Sequence, residues 1–243
     1  MNAIELCGLT KKFGGRTVVD GLTLSVGEGE LFALLGVNGA GKSTTIRMLS
    51  GVLTPDAGDA RIMGASILTE LQKVKSVINV SPQETAIAPN LTVSENLALI
   101  AGIYGANRAG AAAAAKDSIS EFGMAEIQNQ RAKTLSGGWQ RRLSIAMALI
   151  TQPKVLFLDE PTLGLDVLAR RELWREIEKL RGKMTVVLTT HYLEEAEALS
   201  DRIGILVSWR LTAVGTAEEL KKRAGKANFE DAFVALATGG TEA

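Results

Sequence analysis

Gly36-Val37-Asn38-Gly39-Ala40-Gly41-Lys42-Ser43 decides how this chain folds. It fits G-x-x-x-x-G-K-[ST], with the apolar run Leu31–Leu35 just before it and a helix-forming run, residues 44–49, just after it. Glycines at these positions let the backbone wrap phosphate oxygens with its N–H groups turned inward. The following helix adds the positive end of its dipole. In such a loop Lys42 reaches the β- and γ-phosphates of a nucleoside triphosphate, and the Ser43 hydroxyl ligates Mg²⁺. The competing reading is a glycine-rich turn with a surface lysine. It loses weight because strand, loop and helix all fall where the motif needs them.

Moving outward, 243 residues are ample for a sizeable core in one or two domains. Twenty-seven basic side chains balance 27 acidic ones, so no bulk electrostatic footprint points to nucleic acid, and none is expected as a partner. The single cysteine, Cys7, excludes an intramolecular disulfide and any multi-cysteine zinc site; a buried structural thiol is the expectation. Residues 2–5 lack the basic and apolar regions of a signal peptide. No apolar run reaches the roughly 18 residues a membrane span needs. Contact with a membrane is therefore expected to pass through a partner.

Residues 4–9 and 18–26 read as strands joined through Phe13-Gly14-Gly15. Phe13 can stack on an adenine ring or pack as an ordinary turn aromatic, and the residues alone leave both open. Leu31–Leu35 is too continuously apolar for a half-exposed strand and reads as a central parallel one. Residues 60–63 and 77–80 are further short strands. Gln83 follows the second of these, at the strand end where ligands collect in parallel sheets. It can ligate Mg²⁺ or position a water, or be an exposed loop glutamine.

From residue 91 to 149 helical periodicity replaces the strand pattern, with cap-type residues at Thr92-Val93-Ser94-Glu95 and an alanine-rich helix at 109–115. Leu135-Ser136-Gly137-Gly138-Trp139 opens a helix to residue 150. Its small residues expose N–H groups, which gives either a second anion site or a serine N-cap with flexible glycines. The run Val155-Leu156-Phe157-Leu158 is a buried strand delivering Asp159 and Glu160 together. Adjacent strand residues point to opposite sides, so the two carboxylates cannot share one role. Glu160 is the better candidate for polarising water, with Asp159 on the metal, and the competing reading is a solvated acidic turn. Residues 161–166 turn into an amphipathic helix at 169–180, and 184–188 is another buried strand. It ends at His191, the chain's only histidine, placed to donate to a γ-phosphate. A short glutamate-rich helix at 193–199, a hairpin of strands 203–207 and 211–214, a helix at 217–222 and a weakly apolar 229–236 complete the chain. A featureless Thr238-Gly239-Gly240 end follows.

In this order the motifs resemble those of the nucleotide-binding subunit of an ABC transporter, over roughly residues 4–220. The branch it is most similar to serves bacterial drug, polysaccharide and lipid-type exporters with separate permeases. The resemblance implies an α/β fold: a P-loop NTPase core of mostly parallel sheet flanked by helices, an N-terminal antiparallel β subdomain, and a helical insertion carrying the LSGG signature. Core and antiparallel subdomain would comprise residues 1–88 and 152–222, the insertion 89–151 and a tail 223–243. ATP and Mg²⁺ are the implied cofactors.

The resemblance makes Phe13 the adenine aromatic and Gly36, Val37, Asn38, Gly39, Ala40, Gly41, Lys42, Ser43 and Thr44 the phosphate site. Gln83 becomes the Q-loop residue and Asp166 the D-loop residue, with Asp159 on the metal, Glu160 the base and His191 the γ-phosphate contact. Two copies would pair head to tail, ATP lying between the P-loop of one and Ser136, Gly137 and Gly138 of the other. The surface near Gln83 would receive permease helices at the cytoplasmic face of the cell membrane. Two departures stand out: Trp139 replaces the commonest signature glutamine, and the turn Ser208-Trp209-Arg210 lacks the usual glycine, which loosens the strand boundaries there.

Overall fold

The computed structural model describes residues 1–238; the expected featureless end at Gly239 and Gly240 lies outside them. In chain order the elements are β1 (Asn2–Phe13), β2 (Arg16–Gly27), β3 (Leu31–Leu35), α1 (Lys42–Leu49), β4 (Ala57–Ile62), β5 (Ala65–Ser66), α2 (Leu71–Lys75) and β6 (Ile78–Ser81). Then follow α3 (Val93–Ile103), α4 (Arg108–Glu121), α5 (Gly137–Leu149), β7 (Val155–Asp159), α6 (Val167–Glu178) and β8 (Thr185–Thr190). The chain continues through α7 (Leu193–Leu199), β9 (Arg202–Val207), β10 (Arg210–Gly215), α8 (Ala217–Ala224) and α9 (Phe229–Ala237).

Two sheets form the frame. One is antiparallel, in the order β2-β1-β4-β5; the other runs β10-β9-β3-β8-β7-β6, parallel except for β10 against β9. Strands β3, β7 and β8 are buried along their whole length, which is why they read as continuous apolar runs. Their side chains still alternate. Leu31, Ala33 and Leu35, with Leu156 and Leu158, face a core shared with α3–α7 and α9, while Phe32, Leu34, Val155 and Phe157 face a second core shared with β1, β2 and α1. Burying both faces fixes the sheet's register, so the ends of β3, β7 and β8 come out side by side.

Local chemistry sets the helix starts. Thr92 and Glu95 form a reciprocal capping box at α3, the Glu95 N–H donating to Thr92 Oγ1 (3.1 Å) and the Thr92 N–H to Glu95 Oε2 (2.8 Å). Two expectations are corrected. Cys7 is exposed, because it shares the outer face of β1 with Glu5 while Ile4 and Leu6 point inward. Strands β1 and β2 run 12 residues each, past the expected ends, because register shifts near Gly8 and Gly21, both at positive φ, carry pairing through polar residues.

Candidate active site

The ends of β3, β7 and β8 and the start of α1 surround a cleft of about 470 Å³ lined by Phe13, Val18, Asn38, Gly39, Gly41, Lys42, Ser43, Thr44, Gln83, Glu160, Leu163 and His191. Two glycines of the loop are sterically obligatory. A Cβ on Gly36 would lie 2.4 Å from the Leu206 carbonyl oxygen, and one on Gly41, whose φ is +104°, 2.4 Å from that of Val18. Between them Val37, Asn38 and Gly39 are exposed, while Ala40 is packed in the core below.

Lys42 is 5% exposed. Its ammonium donates to the Gly36 carbonyl at 2.7 Å and to that of Val37 at 3.3 Å, and lies 3.1 Å from Glu160 Oε1. The other oxygen, Glu160 Oε2, is 2.7 Å from His191 Nδ1. A carboxylate only accepts, so His191 carries its proton on Nδ1 in this pair. Glu160 is 4% exposed and has φ +49°, an uncommon conformation for a non-glycine residue. It is held by the Glu160 N–H donating to the Thr189 carbonyl (3.1 Å) and hydroxyl (3.0 Å). That twist, as well as strand alternation, separates it from Asp159. Asp159 Oδ1 instead accepts from the Ser43 hydroxyl at 2.9 Å and from Thr189 Oγ1 at 2.6 Å.

Phe13 is 50% exposed with one cation, Lys11 Nζ, 5.5 Å from its ring centroid. Gln83 lines this cleft and also a neighbouring one of about 650 Å³ bounded by Ile46, Arg47, Val52, Val80 and Pro82. The remaining expected site residues are not brought together with these. Ser136 and Gly138 line a separate small pocket with Trp139, Arg142 and Glu172, and Gly137 begins α5 beside Leu165. Ser136 occupies the N-cap position without a side-chain cap bond. The Asp166 carboxylate caps α6, accepting from the N–H groups of Leu168 and Ala169 at 2.9 Å each.

Three residues escaped the sequence reading. Arg141, 5% exposed, donates to the backbone carbonyls of Pro82 and Gln83 and so ties α5 to the Gln83 loop. Thr189 donates its hydroxyl to the Asp159 carboxylate and accepts from the Glu160 backbone N–H, as above. Glu195, fully buried, accepts from Thr162 Oγ1 (2.8 Å) and Trp174 Nε1 (3.0 Å), joining the segment after Glu160 to the helix after His191. Burial pushes its carboxyl up from the usual range, against the lowering by its hydroxyl and indole donors. Its place four residues before Leu199, on one helix face, was the available signal.

A family model described as ABC transporter matches residues 19–163. The chain is 43% identical to the daunorubicin/doxorubicin resistance ATP-binding protein of Streptomyces peucetius, covering 92% of this chain and 68% of that one. It is 40% identical to the linearmycin resistance ATP-binding protein of Bacillus subtilis (89% and 70% covered), and 43% identical to the Nod factor export ATP-binding protein I of Paraburkholderia xenovorans (90% and 72%). A solved structure of the ATP binding subunit of an ABC transporter superposes with a TM-score of 0.84 at 29% identity, covering 96% of this chain and 99% of that one.

Proposed function

This chain belongs to the ABC transporter family, and from that premise we propose that it binds and hydrolyses ATP at the Gly36–Ser43 loop to drive export through separate membrane permease subunits. The observation that carries the site assignment is the Glu160 carboxylate held between Lys42 and His191 at the mouth of that loop. With ATP in the cleft, Lys42 exchanges Glu160 for β- and γ-phosphate oxygens, and the loop N–H groups and the start of α1 take the rest of the phosphate charge. The released Glu160 carboxylate then accepts the proton of the water attacking the γ-phosphorus, while His191 donates to the γ-phosphate. Phe13, with its open face, stacks on the adenine.

The donor set suits Mg²⁺. Ser43 Oγ and Asp159 Oδ1 already lie 2.9 Å apart, Gln83 borders the same cleft, and hard oxygen ligands completed by phosphate and water are what this ion takes. Bound there, Mg²⁺ supplies neutralisation of the developing phosphate charge.

Ser136 and Gly138 line a pocket apart from the cleft, and among the described residues the Ser136 side chain leaves the start of α5 uncapped, a helix N-terminus of the kind that favours an anion. That supports a head-to-tail pair in which Ser136, Gly137 and Gly138 cover the nucleotide of a second copy. Residues 89–151 then act as the arm carrying them, against a core of 1–88 and 152–222 and a tail of 223–243. Exposed Val52, which lines the second Gln83 cleft, and exposed Tyr104, which shares a pocket with Val80 and Pro82, support permease docking there at the cytoplasmic face of the membrane. Among the described residues no helix is long and apolar enough to cross a membrane, so anchorage falls to that partner.

The test is phosphate release by the purified full chain, with and without its co-purifying membrane protein, and with RNA as a control. Hydrolysis without nucleic acid, altered by the membrane protein, is expected. Strict dependence on RNA overturns the transport reading, and unimpaired ATP binding in Lys42→Ala overturns the site.

A further inference from the structure

The turn joining β9 to β10 is made by Ser208 and Trp209, with φ of 46° and 70°. Two-residue hairpin turns of this kind favour asparagine and glycine, which reach positive φ at little cost. A bulky residue persists there only where its surroundings hold it. Trp209 is held on several sides. Its indole N–H donates to the Gly39 carbonyl at 3.2 Å, and its own carbonyl accepts from the Asp20 N–H at 2.9 Å. The Arg16 guanidinium stands 5.1 Å from the ring centroid, and the next residue, Arg210, pairs with Asp20 at 2.6 Å. The turn thus ties the edge of the parallel sheet to β2 and to the nucleotide loop at once.

The point of attachment is informative. Gly36 and Gly41 are already fixed by backbone packed against them, whereas nothing lies within 4 Å of where a Gly39 Cβ would be. Gly39 belongs to the exposed middle of the loop, with Val37 and Asn38. In that stretch a carbonyl turning inward would set its negative end against phosphate oxygens, while an outward carbonyl leaves the N–H groups facing the ligand. Gly39 lines the cleft and Trp209 does not, so a donor held there by a rigid turn draws the Gly39 carbonyl out of the cleft and selects the second arrangement.

We propose that Trp209 is a positioning residue for the nucleotide loop: its indole N–H holds the Gly39 carbonyl away from the phosphates, so the loop's exposed middle is ordered before ATP arrives. Ordering in advance removes a cost otherwise met on binding, so the effect falls on affinity rather than on the chemical step. The inference rests on Gly36–Ser43 being the ATP loop.

The test compares full-length wild type with Trp209→Phe, which keeps a ring beside Arg16 but loses the N–H, and with Trp209→Gly, which removes the ring and relieves the positive φ. ATP itself is titrated calorimetrically, and KM and kcat are measured by phosphate release. Losing one hydrogen bond should raise Kd and KM for ATP about three- to tenfold in Trp209→Phe, with kcat at saturating ATP unchanged. Trp209→Gly should show at least the same rise without a lowered melting temperature. Unchanged ATP affinity in Trp209→Phe overturns the proposal, as does a loss confined to kcat. Should that variant not fold, unchanged affinity in Trp209→Gly overturns it. Lys42→Ala separates the two levels: if it too binds ATP normally, the loop assignment fails, and if it alone loses ATP, only the role of Trp209 fails.

Discussion

Replacing Glu160 by glutamine perturbs stability, ATP binding and chemistry in different directions. The side chain keeps its shape and loses its charge, which leaves the buried Lys42 ammonium with the Gly36 and Val37 carbonyls but no counter-ion. Breaking a buried pair outright costs about 3–5 kcal/mol. Here two carbonyl acceptors remain and the glutamine oxygen can still accept, so a loss of about 1–3 kcal/mol is expected. At about 2–4 °C per kcal/mol for a chain of this size, the melting temperature without nucleotide should fall by about 2–12 °C. ATP reverses the sign, because phosphate oxygens replace the missing counter-ion and the carboxylate that repelled them is gone. The variant should therefore gain more from Mg·ATP than wild type does. Turnover should drop by about 10²–10⁴-fold, the usual worth of a positioned general base. Thermal melts with and without Mg·ATP, read beside phosphate release, check all three. Turnover within about tenfold of wild type, or a nucleotide-free melting temperature unmoved by the substitution, refutes the reasoning.

Two further outcomes follow from particular contacts. Gly41→Ala places a Cβ 2.4 Å from the Val18 carbonyl at a φ of +104°; the loop must shift, so ATP binding measured by calorimetry should be lost while circular dichroism keeps the fold's helix content. Glu195 has its folded pKa raised above the ordinary 4.5 by burial, so its favourable contribution is complete below about pH 4.5 and is lost as pH rises through the raised value, by at most about 1.4 kcal/mol per pH unit. Glu195→Gln keeps an acceptor for Thr162 and Trp174 without that titration, so urea unfolding from pH 5 to 8 should show the variant gaining on wild type as pH rises. Parallel stability curves contradict this.

The candidate site was legible in sequence wherever its geometry is local. Gly36 to Ser43 forms its cradle from consecutive backbone between a strand and a helix, and Asp159 and Glu160 end a strand whose apolar run marks it as buried. What pattern cannot carry is which distant elements touch. Glu195 lies in a helix rich in glutamate that reads as solvated, and only the packing of α7 on β3 and α6 buries it. Arg141 is one of two adjacent arginines, and its neighbour Arg142 instead reaches Glu172 on the exposed side. The turn at Ser208 and Trp209 looked like an irregular edge, since nothing nearby in sequence announces a bond to Gly39, 170 residues away. Cys7 is a different case, for the alternation of Ile4, Glu5 and Leu6 already placed it outward.

If each chain holds half of a site completed by a second copy, two inactive variants should complement each other when mixed. Lys42→Ala disables the loop while keeping Ser136, Gly137 and Gly138; Ser136→Arg blocks the second half while keeping the loop. Head-to-tail pairing gives every mixed dimer one intact site and one doubly broken one, so an equimolar mixture should recover about a quarter of wild-type phosphate release from two inactive parents. A mixture as inactive as its parents, with mixed dimers demonstrated by mass spectrometry, contradicts the account.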